Sequence, residues 1–177
     1  MKLNIGSGGK PFDGFVNVDV QEMENPDVVC DLEHDIWPFE DNSVDEVRAF
    51  HILEHIGNGF FHFIKELYRV CKDGAKIHII VPHPRHDVFL NDPTHKRPVT
   101  HDLMALFSKR LHYANLEEGR QYTPFWKYNN VDFDLCSNIQ MVLDPYIDPD
   151  SNWKERERHE NNIIVEIRFD MVVIKNA

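Results

Sequence analysis

Lys2-Leu3-Asn4-Ile5-Gly6-Ser7-Gly8-Gly9-Lys10, followed by Phe15-Val16-Asn17-Val18-Asp19, is the stretch whose reading decides the fold. Lys2 to Ile5 reads as a short buried strand that runs straight into a glycine turn. A second apolar run from Phe15 to Val18 ends in the carboxylate of Asp19. Strand, glycine turn, strand and acid is the layout of a nucleotide-type cofactor site. Glycine lets a ligand lie against bare backbone where a Cβ would clash. An acid at the tip of the second strand accepts hydrogen bonds from ribose hydroxyls. Gly6 and Asp19 are 13 residues apart, whereas a dinucleotide fold sets its acid about 20 residues on. Pro11 stands where the dinucleotide fingerprint has its third glycine, and Pro11 and Gly14 interrupt the interval. A plain NAD site is therefore disfavoured, and the helix that would follow the first strand is expected to be short or missing.

Working outward, Pro26 to Cys30 reads as a third strand followed by Asp31-Leu32, and Val44 to Phe50 as a fourth followed by His51. Residues 59–72 place Phe60, Phe63, Ile64, Leu67 and Cys71 at helical spacing. Asp73-Gly74 is expected to end that helix, with glycine as the left-handed cap residue, and Ala75 to Val81 reads as the fifth strand. Pro82 to Pro98 is long, irregular and rich in Pro, His and Asp, which suits an active-site loop. Thr100 caps an expected helix that reaches about His112. Residues 131–143 read as one strand, and Val165 to Val173 alternates as a half-exposed last strand. The charged stretch 144–162 between them reads as a lid, a short helix or a loop.

The ordered series comprises the glycine turn, Asp19, Asp31-Leu32, Trp37-Pro38-Phe39, Asp41 to Val47 and His51 to Ile56. Glu66 to Gly74 and Ile77 to Pro82 complete it. It resembles the class I S-adenosylmethionine-dependent methyltransferases, in particular their small type 11 branch. The resemblance covers roughly residues 2–82 and implies an α/β, Rossmann-like fold. Its seven-stranded, mostly parallel sheet would have helices on both faces and an antiparallel last strand, in a single domain over residues 1–177. It also implies that Gly6, Ser7 and Gly8 pack on the methionine and ribose portion of the cofactor and that Asp19 binds the ribose hydroxyls. Val20 would lie beside the adenine, Asp31 accept from its amino group, Leu32 offer a backbone donor, and His51 stand near the sulfonium. Candidates for a general base lie in the loop of about 82–99: His83, His86, Asp92 and His95, histidine being suited to work near neutral pH. Lys96 and Arg97 are candidates to grip a carboxylate or phosphate on the acceptor.

His51-Ile52-Leu53-Glu54-His55 also matches H-x-x-E-H, an inverted zinc-peptidase motif. It starts at the end of an expected strand and lies inside the methyltransferase series, so zinc hydrolysis is disfavoured and no metal is expected. Asp144-Pro145-Tyr146 is similar to the box of amino-methylating DNA enzymes, but lacks a proline and lies too far along the chain.

Composition sets limits. A chain of 177 residues, 42% hydrophobic and 28% charged, suits one globular domain. No apolar run reaches the length of a membrane span and no signal peptide opens the chain. Cys30, Cys71 and Cys136 are widely spaced and form no disulfide framework, so a reducing, cytoplasmic setting is expected. The net charge of −11 argues against tight binding to bulk nucleic acid. Residues 85–112 are the exception, with Arg85, Lys96, Arg97, Lys109 and Arg110 against Asp87, Asp92 and Asp102. The reading is a methyltransferase moving a methyl group by in-line displacement to a small or medium-sized acceptor, as a single chain, a homodimer or with a partner subunit. The alternatives are a non-catalytic cofactor-binding or scaffold protein and a nucleic-acid methyltransferase.

Overall fold

The computed structural model describes residues 1–136 and 139–175. Eight strand segments form one sheet: β1 (Lys2–Ile5), β2 (Val16–Asp19), β3 (Val28–Val29), β4 (Val44–Phe50), β5 (Cys71–Pro82), β6 (Phe133–Leu135), β7 (Gln140–Leu143) and β8 (Ile164–Val173). Their order is β3-β2-β1-β4-β5-β8-β6, with β7 also paired to β8. The pairs among β1 to β5 are parallel, and β8 runs antiparallel to β5, β6 and β7. Both β6 and β7 lie along one edge of β8, so eight segments fill the seven expected positions. The single strand expected over 131–143 is thus divided, and its residues 137 and 138 lie outside the described residues.

The helices are α1 (Phe60–Val70), α2 (Asp87–Leu90), α3 (His101–Ala105), α4 (Lys109–Glu117), α5 (Phe125–Asn129) and α6 (Trp153–Arg156). α1 buries Phe60, Phe63, Ile64, Leu67 and Val70. It packs into the same core as Val47, Ala49, Ile77, Ile79, Phe169 and Met171 from the sheet and Met104 and Phe107 from the α3–α4 region. Period-2 alternation sends the neighbouring residues of each strand to the opposite face. There stand Lys2, Glu46, Arg48, His78, Arg168 and Asp170, none of them buried. The connections 6–15, 20–27 and 30–43 hold only turns and one 3-10 turn, so no α-helix from them covers that face. The helix after β1 is missing, as expected, and the mixed α/β, mostly parallel sheet with its antiparallel last strand is the expected fold.

Charge and one aromatic cluster take the place of helices on that face. Lys2 Nζ pairs with Glu46 at 2.6 Å, Glu46 lies 3.7 Å from His78, and His78 Nδ1 lies 2.7 Å from Asp170. This row crosses β1, β4, β5 and β8. Nearby the loop after β1 folds back, setting the Phe12 ring centroid 3.5 Å and the Phe15 centroid 4.8 Å from the Arg48 guanidinium carbon. A cation on an aromatic face is stabilised when partly desolvated.

Two helix ends differ from the sequence reading. α1 stops at Val70 because Cys71 has extended backbone and begins β5. Gly74, at φ +76°, sits within β5, where the register against β4 shifts between the Val44–Cys71 and Glu46–Lys76 pairs. The helix expected from Thr100 to His112 is divided into α3 and α4. Ser108 is fully buried and its side chain accepts from Leu111 N–H, starting a second helix where the first had ended. Thr100 caps α3 through Leu103 N–H at 3.1 Å.

Candidate active site

The site is assembled at the carboxyl ends of β1, β2 and β4, where ligands of open α/β sheets bind. Gly6 stands at φ +65°, and a Cβ there would meet Ile52 side-chain atoms at 2.7 Å. It lines two clefts. The smaller, about 160 Å³, is walled by Asp19, Val20, Asp31, Leu32, Ile52 and His55. The larger, about 540 Å³, is walled by Ser7, Gly8, Lys10, Phe12, Phe50, His51, Ile80, Glu166 and Arg168. A shallower hollow of about 240 Å³ on the helix-free face shares Phe50, Ile80 and Arg168 with the larger cleft.

In the small cleft Asp19 is 8% exposed. Its Oδ2 accepts from Gly8 N–H at 2.8 Å and its Oδ1 from Gln21 N–H at 2.9 Å. Each carboxylate oxygen has a second lone pair, so two backbone donors fix the group and leave acceptor capacity. Val20 is exposed beside it. Asp31 Oδ1 accepts from Glu33 N–H at 2.9 Å, and His34 Nδ1 lies 3.0 Å from Oδ2. Burial acts to raise the Asp31 pKa, but these partners outweigh it and hold the carboxyl below its usual range. Leu32 passes its carbonyl to the Trp37 indole at 3.1 Å, while its own N–H has no protein acceptor among the described residues. On the large cleft, Ser7 is buried and its Oγ has no partner among the described residues. An acid, a free N–H, an orphaned hydroxyl and a glycine wall fit the adenosyl and methionine portions of the cofactor. Buried polar groups without partners are few in folded proteins, and those present call for a reason.

His51 stands at φ +55° directly after β4, with its N–H on the Ile80 carbonyl at 2.8 Å. Its Nδ1 lies 3.5 Å from Glu54 Oε1 and its Nε2 3.3 Å from Glu166 Oε1. The Glu54 contact first, and the Glu166 charge after it, favour the imidazolium over the opposing effect of burial and raise the His51 pKa. Since Leu53–His55 is a single 3-10 turn, His51 and His55 do not share a helix face, and the peptidase geometry does not form.

None of the four loop candidates lines either cleft; of them His95 lies beside His55, a wall of the smaller one. His86 is buried. Its Nδ1 accepts from Val88 N–H at 3.1 Å, so its Nε2–H points to Asp144 at 2.9 Å. That bond also gives Asp144 its task, while Tyr146 is 96% exposed. His83 is half-buried, its Nδ1 accepts from Arg85 N–H at 3.3 Å, and burial lowers its pKa. Asp92 Oδ1 accepts from the Thr94 hydroxyl at 2.6 Å, and His95 Nδ1 bonds the Phe89 carbonyl at 2.8 Å. Arg97 is tied to the Ile56 and Gly57 carbonyls at 3.0 and 2.6 Å, and Lys96 N–H to the Glu54 carbonyl at 2.7 Å. Lys96 keeps a free ammonium among the described residues; Arg97 is committed to the backbone.

The basic stretch is similarly occupied. Arg85 pairs with Glu157 and Arg110 with Asp134 at 2.6 Å, which removes two of the phosphate contacts that nucleic-acid binding would need. The Arg85–Glu157 pair holds the 144–162 segment, including α6, against the loop after β5.

Residues that the sequence reading missed are Lys10, Phe12, Phe50, Ile80, Glu166 and Arg168. Glu166 and Arg168 sit on β8 opposite Pro82 and Ile80. Their alternation with buried neighbours was visible, but the antiparallel register that carries them to the cleft is a tertiary fact.

Residues 12–79 match a methyltransferase-domain family of the type 11 branch. By fold the chain is similar to the class I S-adenosylmethionine-dependent methyltransferases. The chain is similar to a SAM-dependent methyltransferase from Archaeoglobus fulgidus at 20% identity and a TM-score of 0.63, covering 98% of this chain and 85% of that one. It is also similar, at 13% identity and a TM-score of 0.55, to a putative methyltransferase from Haloferax volcanii in complex with the Trm112 methyltransferase activator, covering 98% and 82%. The [4+2]-cyclase SpnF shares the fold at 13% identity and a TM-score of 0.58, covering 99% of this chain and 75% of that one. At these identities the likeness is one of fold, and a fold hosts more than one chemistry. No curated protein sequence matches the chain.

Proposed function

We propose that the chain is an S-adenosylmethionine-dependent methyltransferase acting on a small or medium-sized acceptor, which enters the larger cleft from the open side of the sheet. The observation that carries the reading is the pair of clefts that share Gly6 as a wall, one lined by Asp19 and Asp31 and the other by His51, Glu166 and Arg168. When bound, S-adenosylmethionine supplies a methyl group already activated on a sulfonium, which an acceptor takes by in-line displacement. Ser7, Gly6, Asp19, Val20, Asp31 and the Leu32 N–H are the groups that would hold it. The protein's remaining work is to orient the acceptor and exclude competing water, and positioning alone is worth several kcal/mol.

His51 takes the place of the loop candidates as general base, because it lines the acceptor cleft and they do not. Its neutral form accepts a proton from a hydroxyl or ammonium acceptor, and Glu166, 3.3 Å from Nε2, steadies the imidazolium that results. Lys10 and Arg168, on the cleft wall, meet an anionic portion of the acceptor, with Arg168 shared with Glu166 at 2.8 Å. A partner subunit on the open sheet face is compatible with this arrangement, and no helix of the described residues is long and apolar enough to cross a membrane.

Titration calorimetry with S-adenosylmethionine and S-adenosylhomocysteine, NAD as control and an Asp19→Ala variant alongside, tests the reading. Loss of charge-assisted acceptor bonds should weaken the variant by about tenfold or more. Well-folded protein that binds neither adenosyl ligand would refute it.

A further inference from the structure

Glu54 is 1% exposed and neither carboxylate oxygen has a hydrogen-bond partner among the described residues. A buried carboxylate is costly unless a cation or several donors face it. The nearest cationic group, His51 Nδ1, is 3.5 Å from one oxygen only. Ligating atoms of Glu54, His55 and His95 lie within 4.8 Å of one another, and the two imidazole centroids are 4.7 Å apart.

The bonds around the two histidines fix their tautomers. The Thr94 hydroxyl donates its one proton to Asp92 Oδ1 at 2.6 Å. Its oxygen, 3.0 Å from His55 Nδ1, can then only accept from that nitrogen. His95 Nδ1 faces the Phe89 carbonyl at 2.8 Å, which also only accepts. Both rings therefore carry the proton on Nδ1 and present a lone pair at Nε2. A histidine whose Nδ1–H is held by a carbonyl or hydroxyl is the form in which metal-binding histidines are found. The Phe89 ring, stacked on His95 at 5.0 Å, further limits its rotation.

We propose that Glu54, His55 and His95 bind a divalent metal ion of the zinc class, independently of the methyl-transfer reading. Two neutral imidazoles and one carboxylate are a recognised donor set for zinc, with a fourth position for water or another oxygen. Asp92 Oδ2 lies 3.8 Å from His95 Nε2 but outside the cluster, which leaves the fourth position to water. Zinc–nitrogen bonds near 2.0–2.1 Å set tetrahedral donors about 3.4 Å apart, so the donors, all within 4.8 Å of one another, need close only modestly on an ion. The ligand set differs from the H-x-x-E-H pattern, since His95 replaces His51. The ion ties the 92–97 loop to the turn after β4, and through His55 to a wall of the small cleft.

The test is calorimetric titration of chelator-treated full-length protein with Zn²⁺, with Co²⁺ absorption as a second signal and wild type compared with His95→Gln, Glu54→Gln and His159→Ala. The expected result is one ion per chain, a cobalt band in the visible, at least tenfold weaker binding in His95→Gln and Glu54→Gln, and unchanged binding in His159→Ala. His95 is on a loop, so His95→Gln keeps the test open if Glu54→Gln fails to fold, as circular dichroism would report. No stoichiometric binding, or equal binding in His95→Gln, overturns the proposal whatever the outcome with adenosyl ligands.

Discussion

Gly6→Ala and Gly8→Ala separate two reasons for a glycine that are usually confounded. Both positions are left-handed, at φ +65° and +50°. An alanine in that region costs about 1–2 kcal/mol, part of which is offset by about 0.4–1 kcal/mol of lost freedom in the unfolded chain. Gly8 has nothing within 4 Å of a built Cβ, so Gly8→Ala should cost about 1 kcal/mol. Gly6 meets three Ile52 atoms between 2.7 and 2.8 Å, and overpacking of this kind adds about 1–3 kcal/mol. Gly6→Ala should therefore cost about 2–4 kcal/mol and lower Tm by about twice to four times that number in degrees for a domain of this size. Urea unfolding of both variants, with and without Ile52→Ala, measures the difference. Truncating Ile52 removes two of the three contacts and should recover part of the loss in Gly6→Ala and none in Gly8→Ala. Equal destabilisation by the two alanines, or no coupling to Ile52, would refute the reasoning.

His51 gives a pH signature: because its folded pKa is raised, the stability it contributes with Glu54 and Glu166 is fully present below about pH 6.5 and fades as pH rises through the folded value. His51→Gln should flatten that part of the stability profile from urea unfolding, and a slope unchanged in the variant would count against the assignment. Cys71 is fully buried with its thiol pushed up to about 12, and Cys30 is 3% exposed with its thiol pushed up to about 11, burial being the main cause in both. Mass spectrometry after iodoacetamide treatment should find both unmodified in native protein and modified in urea; rapid native labelling would contradict the packing. Ser108→Ala should cost about 1 kcal/mol through the lost cap of α4, and helical circular dichroism combined with urea unfolding would show whether it costs nothing.

The front half of the molecule was legible because its contacts are short in sequence. Gly8 reaches Asp19 across 11 residues, and β4 falls at the expected Val44–Phe50 because alternation and flanking polar residues agree. The rest depended on pairing that local pattern does not encode. Glu166 and Arg168 read as outward residues of a half-exposed strand, and so they are, but outward there means into a cleft. Gly74 reads as a cap by residue type, yet Cys71 passes from helix to strand with no loop between. Ser108 was a visible cap signal hidden within a continuous apolar stripe. His83, His86, Asp92 and His95 form a polar-rich loop whose side chains mostly secure the loop itself, which composition alone does not distinguish from chemistry.

The uncovered face of the sheet has a kinetic meaning. In an enclosed site, ligand exchange waits for a lid or helix to swing aside on the microsecond-to-millisecond scale. Here the larger cleft meets the open hollow through Phe50, Ile80 and Arg168, and the Lys2–Glu46–His78–Asp170 row keeps that approach wetted. On the acceptor route proposed above, exchange needs no gating motion, so a stopped-flow trace of acceptor binding should rise linearly in rate with concentration, with no plateau set by a conformational step.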